Sequence, residues 1–326
     1  MNSQCIVYVT DENYFFPTAI SAMQARKAAS QATDVVIVTT EAFHNKSGCE
    51  RFCHTSNILL LDGSQFLAEK FAQVDRREFG GRVSIAAMGR LLLSDLLPDH
   101  YEQVIYIDGD TQIVGDLTPL EEFTVPKGKV LAAPDYVSII QAASKNQPHH
   151  YFNSGVLKFD PRAWIGKAAF DYFVANGGHL HDQGALNTVS GDSWIRMSSR
   201  WNFPRQFLHL TTGQPTILHF ASHPKPWDGV YFPCTSRQTA PYVQALREHE
   251  YLRPFVRRIS LARRTAYKLR SLRHQLACQW PTADTRAELE SLRRVVGDWS
   301  CDRALFAAAE RDHAGMVGNG VAVAIS

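Results

Sequence analysis

No stretch of this 326-residue chain is long and apolar enough to span a bilayer, and no basic-then-apolar leader opens it. These absences predict a protein made and kept in the cytoplasm, with the inner face of the plasma membrane as the one membrane surface open to it. Charge of one sign is also missing. Lys and Arg number 34 against 32 Asp and Glu, a formal net charge of +2. A chain so near neutrality is not built to bind nucleic acid globally. Cysteine is sparse, with six residues scattered from Cys5 to Cys301. Cys49 and Cys53 lie near His44 and His54, but the spacing suits zinc poorly and no second cysteine pair stands close by. Unpaired thiols in a reducing compartment are the better reading. Internal repeats and low-complexity linkers are absent too, so residues 1–238 read as one unit.

Apolar residues make up 45% of the chain, enough for a substantial core. Short apolar runs at Cys5–Thr10, Asp34–Thr39, Asn57–Leu61, Val104–Ile107, Val130–Ala133, Gly155–Phe159 and Thr216–His219 predict strands. Between them, Phe16–Ala29, Arg82–Leu97, Pro161–Asn176 and Asp182–Val189 predict helices. This alternation predicts an α/β fold with a mostly parallel central sheet flanked by helices. After about Gln238 the pattern becomes helical, over 240–278 and 284–312, with a break at Pro281–Asp284; Gly315–Ser326 reads as a frayed end. Residues 239–326 are therefore expected to form a helical extension.

The run Val104-Ile105-Tyr106-Ile107 ends in Asp108-Gly109-Asp110. Parallel strands of open sheets deliver functional groups at their C-terminal edge. Gly109 permits a tight turn, so both carboxylates can face one point. Two hard oxygen ligands suit Mg²⁺ or Mn²⁺, ions that usually carry phosphates. Asp-Gly is also common in plain turns, so the motif needs support from elsewhere in the chain.

That support comes from five further segments. Asp11-Glu12-Asn13-Tyr14 follows the first strand and offers a carboxylate, an amide and a ring to a nucleobase, although Asp11 or Asn13 could simply cap a helix. Arg90 sits on a helix leading to the Asp108 strand, where it faces either a diphosphate or solvent. Asp135 ends one strand, and Asn153-Ser154-Gly155 begins the next. Asp182 and Gln183 open a helix, where a carboxylate complements the dipole. His219 closes a strand and is a good third ligand for a divalent ion, with Lys225 and Trp227 close behind it.

In this order, Asp-Glu-Asn-Tyr, Tyr-Ile-Asp-Gly-Asp, Phe-Asn-Ser-Gly-Val-Leu, Asp-Gln-Gly-Ala-Leu-Asn and His-Phe-(four residues)-Lys-Pro-Trp resemble glycosyltransferase family 8 over about residues 4–230. That family includes bacterial lipopolysaccharide α-galactosyl- and α-glucosyltransferases and the related glycogenin. The resemblance implies a GT-A fold, a UDP-galactose or UDP-glucose donor, Mn²⁺ with Mg²⁺ as the alternative, and a retaining transfer to a glycan or glycolipid acceptor. It implies that Asp108, Asp110 and His219 hold the metal. Asp11, Asn13 and Tyr14 would contact the uridine end and Lys225 the diphosphate. Gly109, Arg90, Asn153 and Ser154 would line the donor site, with Asp135, Asp182 and Gln183 as the catalytic candidates. Ser222 stands where family members usually have glycine against the diphosphate, which puts that close approach in question. Whether retention uses a covalent carboxylate intermediate or a front-face attack stays open at this level. The alternatives are a self-glucosylating enzyme of the glycogenin type and a nucleotide-sugar-binding protein without transfer.

From Tyr251 to Ala283 there are eight Lys and Arg and no acid. Phe255, Ile259, Ala262, Ala266, Leu269, Leu272 and Leu276 recur among them at helical steps. This basic amphipathic pattern fits a helix on an anionic membrane surface, or one packed on the catalytic unit with a solvated basic face.

Overall fold

The computed structural model describes residues 1–72, 74, 85–145, 150–176 and 181–307. The chain opens with β1 (Gln4–Thr10), α1 (Phe15–Ala28), β2 (Thr33–Thr39), α2 (Lys46–Thr55), β3 (Leu59–Asp62) and α3 (Ser64–Phe71). It continues through α4 (Ile85–Gly89), α5 (Leu93–Leu96), β4 (Gln103–Ile107), β5 (Thr111–Ile113), α6 (Thr118–Glu122), β6 (Val130–Pro134), α7 (Tyr136–Lys145) and β7 (Phe152–Phe159). Then come α8 (Gly166–Ala175), α9 (His181–Ser190), β8 (Trp194–Arg196), β9 (Phe203–Pro204) and β10 (Ile217–His219). The described chain closes with α10 (Ser236–Glu248), α11 (Leu261–Gln279), α12 (Ala283–Gly297) and a short helix over 300–307.

Seven strands form the central sheet in the order β3-β2-β1-β4-β7-β6-β8. Pairings are parallel except those that β7 makes with β4 and β6. The sheet is covered on both faces, and the period-two alternation of its strands sorts side chains into two cores. Ile6 and Tyr8 of β1, Val35 and Ile37 of β2, and Ile105 and Ile107 of β4 pack against α1 and α2. Cys5, Val7 and Val9, Val36 and Val38, and Val104 and Tyr106 pack on the other side against α3, α8 and α9. A second sheet, β5-β10-β9, stands beyond the end of β4. β10 runs antiparallel to β5, which brings His219 opposite Thr111, one residue after Asp110.

Two helical expectations are corrected. The stretch 82–97 is not one continuous helix: α4 ends at Gly89, residues Arg90–Leu92 form a 3-10 turn and α5 follows; residues 82–84 lie outside the described set. Tightening at Arg90 turns its guanidinium inward under the sheet edge, where it finds carboxylates rather than solvent. The stretch 240–278 is likewise broken. Thr235 starts α10 with a capping box, Glu250–Phe255 is a 3-10 turn containing Pro254, and Ser260 caps a new helix, α11, by accepting the Arg263 N–H. Phe255 belongs to the main core, tilted against Phe15 with centroids 4.6 Å apart, and so is no part of an exposed stripe. Residues 308–326, including the expected frayed end, lie outside the described residues.

The C-terminal helices meet the body in different ways. α12 puts Leu292 and Val296 into a third core with Ile139, Phe203 and Phe207. Asp302 is buried and accepts from Ser198 N–H, Ser198 Oγ and Trp201 Nε1. α11 lies on the surface, with none of its residues buried. Among the described residues, no helix is long and apolar enough to cross a membrane.

Candidate active site

β4 carries Tyr106 and, two residues on and on the same face, Asp108. The phenol donates to Asp108 Oδ1 at 2.6 Å. Arg90 lies over the Tyr106 ring and bridges Asp108 Oδ1 at 2.9 Å and Asp182 Oδ2 at 3.1 Å. Its Nη1 also donates to the Ser154 carbonyl. Burial alone would make this guanidinium easier to deprotonate; Asp108 and Asp182 outweigh that and lock it in the charged form.

The turn after β4 brings Asp110 against His219 and Lys225. His219 Nε2 is 3.3 Å from Asp110 Oδ1 and 3.6 Å from Asp108 Oδ2. Lys225 Nζ is 2.7 Å from Asp110 Oδ2 and also donates to the Phe220 carbonyl. Burial pushes the Asp110 carboxyl up, but Lys225 and His219 hold it well below the ordinary carboxylate range. Tyr14 adds a hydroxyl 3.4 Å from Asp110 Oδ2. Its own ionisation is pushed well up, by burial first and by Asp110 and Asp108 next, so it acts as a neutral donor.

A relay of amides sets the state of His219. The backbone N–H of Gly155 can only donate, and it donates to Asn153 Oδ1 at 2.9 Å. That oxygen also accepts from Asn202 Nδ2 at 2.8 Å, which leaves Asn202 Oδ1 as an acceptor. It faces His219 Nδ1 at 2.7 Å, so a ring proton is assigned to Nδ1 and Nε2 is the nitrogen turned to the two carboxylates. Gly155 is required at this point: a Cβ would lie 2.3 Å from His219 Cε1 and 2.8 Å from Asp108 Oδ2. Gly109 is as constrained, because a Cβ there would meet Thr18 Oγ1.

The sugar-side candidates are joined to the same network. Asp135 Oδ2 accepts from Asn153 Nδ2 at 3.0 Å and from Gln183 Nε2 at 3.3 Å, and Oδ1 accepts the Val137 N–H. Gln183 Oε1 takes the Ser154 N–H, and Ser154 Oγ donates to Asp182. Four carboxylates thus share one network with two fixed cations.

A cleft of about 250 Å³ opens on this group, lined by Asp11, Tyr14, Arg90, Asp108, Gly109 and Asp110 among others. Asp11 does both things its position allows, since Oδ1 also accepts the Tyr14 N–H. Asn13 is not among that lining. It borders an adjoining cleft of about 510 Å³ with Trp227, Arg257, Arg258 and Arg263, and Tyr14 stands between the two clefts. Ser222 is turned aside, its hydroxyl accepting from Gln206 Nε2 at 2.9 Å and more weakly from Arg205.

Sequence reasoning missed Asn202 as a site residue, and it quoted Tyr106 and Gly155 within their motifs without giving either a role. Asn202 carried no local signal, because its partners lie 17 and 49 positions away. Tyr106 was readable in principle as a polar tip two residues before Asp108.

A sheet of this order with a carboxylate-rich site beyond β4 defines the GT-A class of glycosyltransferase folds. Solved structures bear this out. The galactosyltransferase LgtC in complex with donor and acceptor sugar analogues superposes with a TM-score of 0.60 at 19% identity, covering 77% of this chain and all of that one. The glycosyltransferase GlyE of Streptococcus pneumoniae superposes at 0.55 and 16% identity, covering 76% of this chain and 64% of that one. The Glycosyl transferase family 8 model matches residues 5–230, and the chain belongs to that family. Among curated relatives, general stress protein A of Bacillus subtilis is 26% identical over 190 residues, 49% of this chain and 66% of that protein. The glycosyltransferase GlyF of Streptococcus pneumoniae is 26% identical over 164 residues, 46% of this chain and 39% of that protein. The chain therefore spans less than two thirds of the length of these relatives.

Proposed function

We propose that this glycosyltransferase moves a hexose, galactose or glucose, from a UDP-sugar to a lipopolysaccharide or related surface-glycan acceptor, with a divalent ion at Asp108, Asp110 and His219. The observation that carries the reading is the placing of His219, held by Asn202 at Nδ1 with Nε2 turned to the carboxylates of Asp108 and Asp110. Asp108, Asp110 and His219 each bring a ligand atom within 4.8 Å of the others, close enough to share one ion. One imidazole nitrogen and two carboxylates match the donor preference of Mn²⁺. When bound, such an ion stabilises the charge that builds on the departing diphosphate.

The chain's own groups do the rest. Lys225, buried beside Asp110, supplies a second positive charge for the diphosphate. Tyr14 and Asp11 line the cleft on the nucleotide side, with Asn13 at its neighbour, so the uridine end is assigned there. Arg90, paired with Asp108 and Asp182, orients these carboxylates at the wall of the cleft. All Asp135 oxygens already accept hydrogen bonds, which weakens the case for it as a covalent nucleophile. Gln183 has both ends of its amide engaged, and that fixes its position beside the sugar site. These constraints favour a front-face attack, with retention of configuration.

The same proposal places the enzyme at an anionic membrane surface. Leu261, Leu269, Leu272 and Leu276 of α11 are exposed by 77%, 55%, 52% and 40%, on the side of the helix away from the contacts of Tyr267 and Ser271 with the body. Arg264 and Arg273 flank the stripe. A panel of UDP-sugars incubated with the enzyme and Mn²⁺, scored for hydrolysis and transfer, tests the function. Release of UDP from UDP-galactose or UDP-glucose supports it; turnover of neither, with UDP still bound, favours the binding-protein alternative.

A further inference from the structure

α11 presents a problem of attachment. It is a helix of 19 residues with no buried side chain, and a helix of that length gains little stability by itself. Its links to the body are shallow: Lys268 donates to the Val230 carbonyl, Arg270 to the His223 carbonyl, Ser271 Oγ accepts the Phe232 N–H, and the Tyr267 ring stacks on His223. One cluster on its inner side is different in kind. His274 and Cys278 are four residues apart and so share a face, and His209 of the body meets both.

We propose that His209, His274 and Cys278 form a zinc site that fastens α11 to the catalytic body. The candidate ligand atoms all lie within 4.8 Å of one another. Cys278 Sγ is 3.5 Å from His209 Nε2. A tetrahedral zinc with ordinary Zn–S and Zn–N bonds sets these two atoms roughly 3.6 Å apart. A weak S–H···N hydrogen bond has the same length, but it gives no reason for the second imidazole. The His209 and His274 rings stand at 87° with centroids 5.6 Å apart, edge against face, and the Phe232 ring lies 5.1 Å from each. That leaves a half-apolar niche with two nitrogens and one sulfur, a donor set soft enough for zinc and unlike the oxygen-rich site at Asp108.

Binding would replace the Cys278 S–H proton, released to solvent, by a Zn–S bond. Three protein ligands leave a fourth position for water.

Cobalt substitution tests the assignment. One equivalent of Co²⁺ added to the Asp110→Asn enzyme, in which the oxygen-rich site is weakened, should give a sulfur-to-cobalt charge-transfer band and tetrahedral d–d bands. Zinc should bleach them. Cys278→Ser should abolish the charge-transfer band, and His274→Gln should weaken zinc affinity by more than the roughly 10–100-fold that losing an outer-shell partner costs. Both substitutions sit on a helix that contributes nothing to the core, so the fold is preserved. Absence of a charge-transfer band in the protein with Cys278 intact, or a band that survives Cys278→Ser, overturns the proposal.

Discussion

Asn202 holds His219 through a 2.7 Å contact from its carboxamide oxygen to Nδ1, and so decides which imidazole nitrogen faces Asp108 and Asp110. Asn202→Ala leaves that N–H without its partner and frees the ring to change tautomer. Mn²⁺ affinity should fall by about 10–100-fold, the usual cost of losing an outer-shell partner. Titration followed by the resonance of free Mn²⁺ measures it; unchanged affinity would mean that His219 is not a ligand.

Gly155 is where backbone meets the proposed metal site. Gly155→Ala would place a methyl 2.3 Å from His219 Cε1, so ring or strand must move. Overpacking of this sort costs about 1–3 kcal/mol. The variant should melt earlier and bind Mn²⁺ poorly. Gly297→Ala, where a Cβ meets nothing within 4 Å, is the control and should do neither.

These two residues also show where the sequence stopped being informative. The β4 strand and its Asp-Gly-Asp were legible because an apolar run followed by a tight turn is a local pattern, and His219 and Lys225 were legible because the family motif is local too. Asn202 and Gly155 matter through distances across the fold, which no spacing rule encodes. Arg90 was read as a residue of one long helix, whereas a 3-10 turn and two carboxylates fix its direction. The basic C-terminal pattern was visible, but its periodicity ran through Phe255, which packs in the core, because an apolar residue carries no mark of which surface it will meet.

Lys158 is fully buried, with Nζ donating to Gln4 Oε1 and to the Leu120 and Glu121 carbonyls, each at 2.8 Å. Burial pushes it down to about 7 from an ordinary 10.5. Between those values the unfolded chain holds a proton that the folded chain has released, so folding gains stability as pH rises through the window and loses it as pH falls back. Relative to Lys158→Met, the wild type should gain up to about 1.4 kcal/mol per pH unit. Urea unfolding of both proteins on either side of pH 7 reads this; a difference that stays constant would show that the ammonium remains charged in the core.

The exposed apolar stripe and flanking cations of α11 predict adsorption to anionic vesicles. Each cation near such a surface contributes about 1 kcal/mol, and the attraction fades over a Debye length. Sedimentation should therefore rise with anionic lipid fraction and fall with salt, and Leu269→Asp with Leu272→Asp should abolish it. A full-length protein that ignores both anionic and neutral vesicles would make α11 purely structural.

The central claim, metal-assisted UDP-sugar transfer at Asp108, Asp110 and His219, is tested most directly by Asp110→Ala assayed for UDP release with Mn²⁺ as the sole divalent ion. Removing this carboxylate should cost several kcal/mol of leaving-group stabilisation, a drop of about 10³-fold or more in turnover, while the melting transition stays cooperative. Wild-type turnover by that variant, at the same Mn²⁺ concentration, would contradict the account.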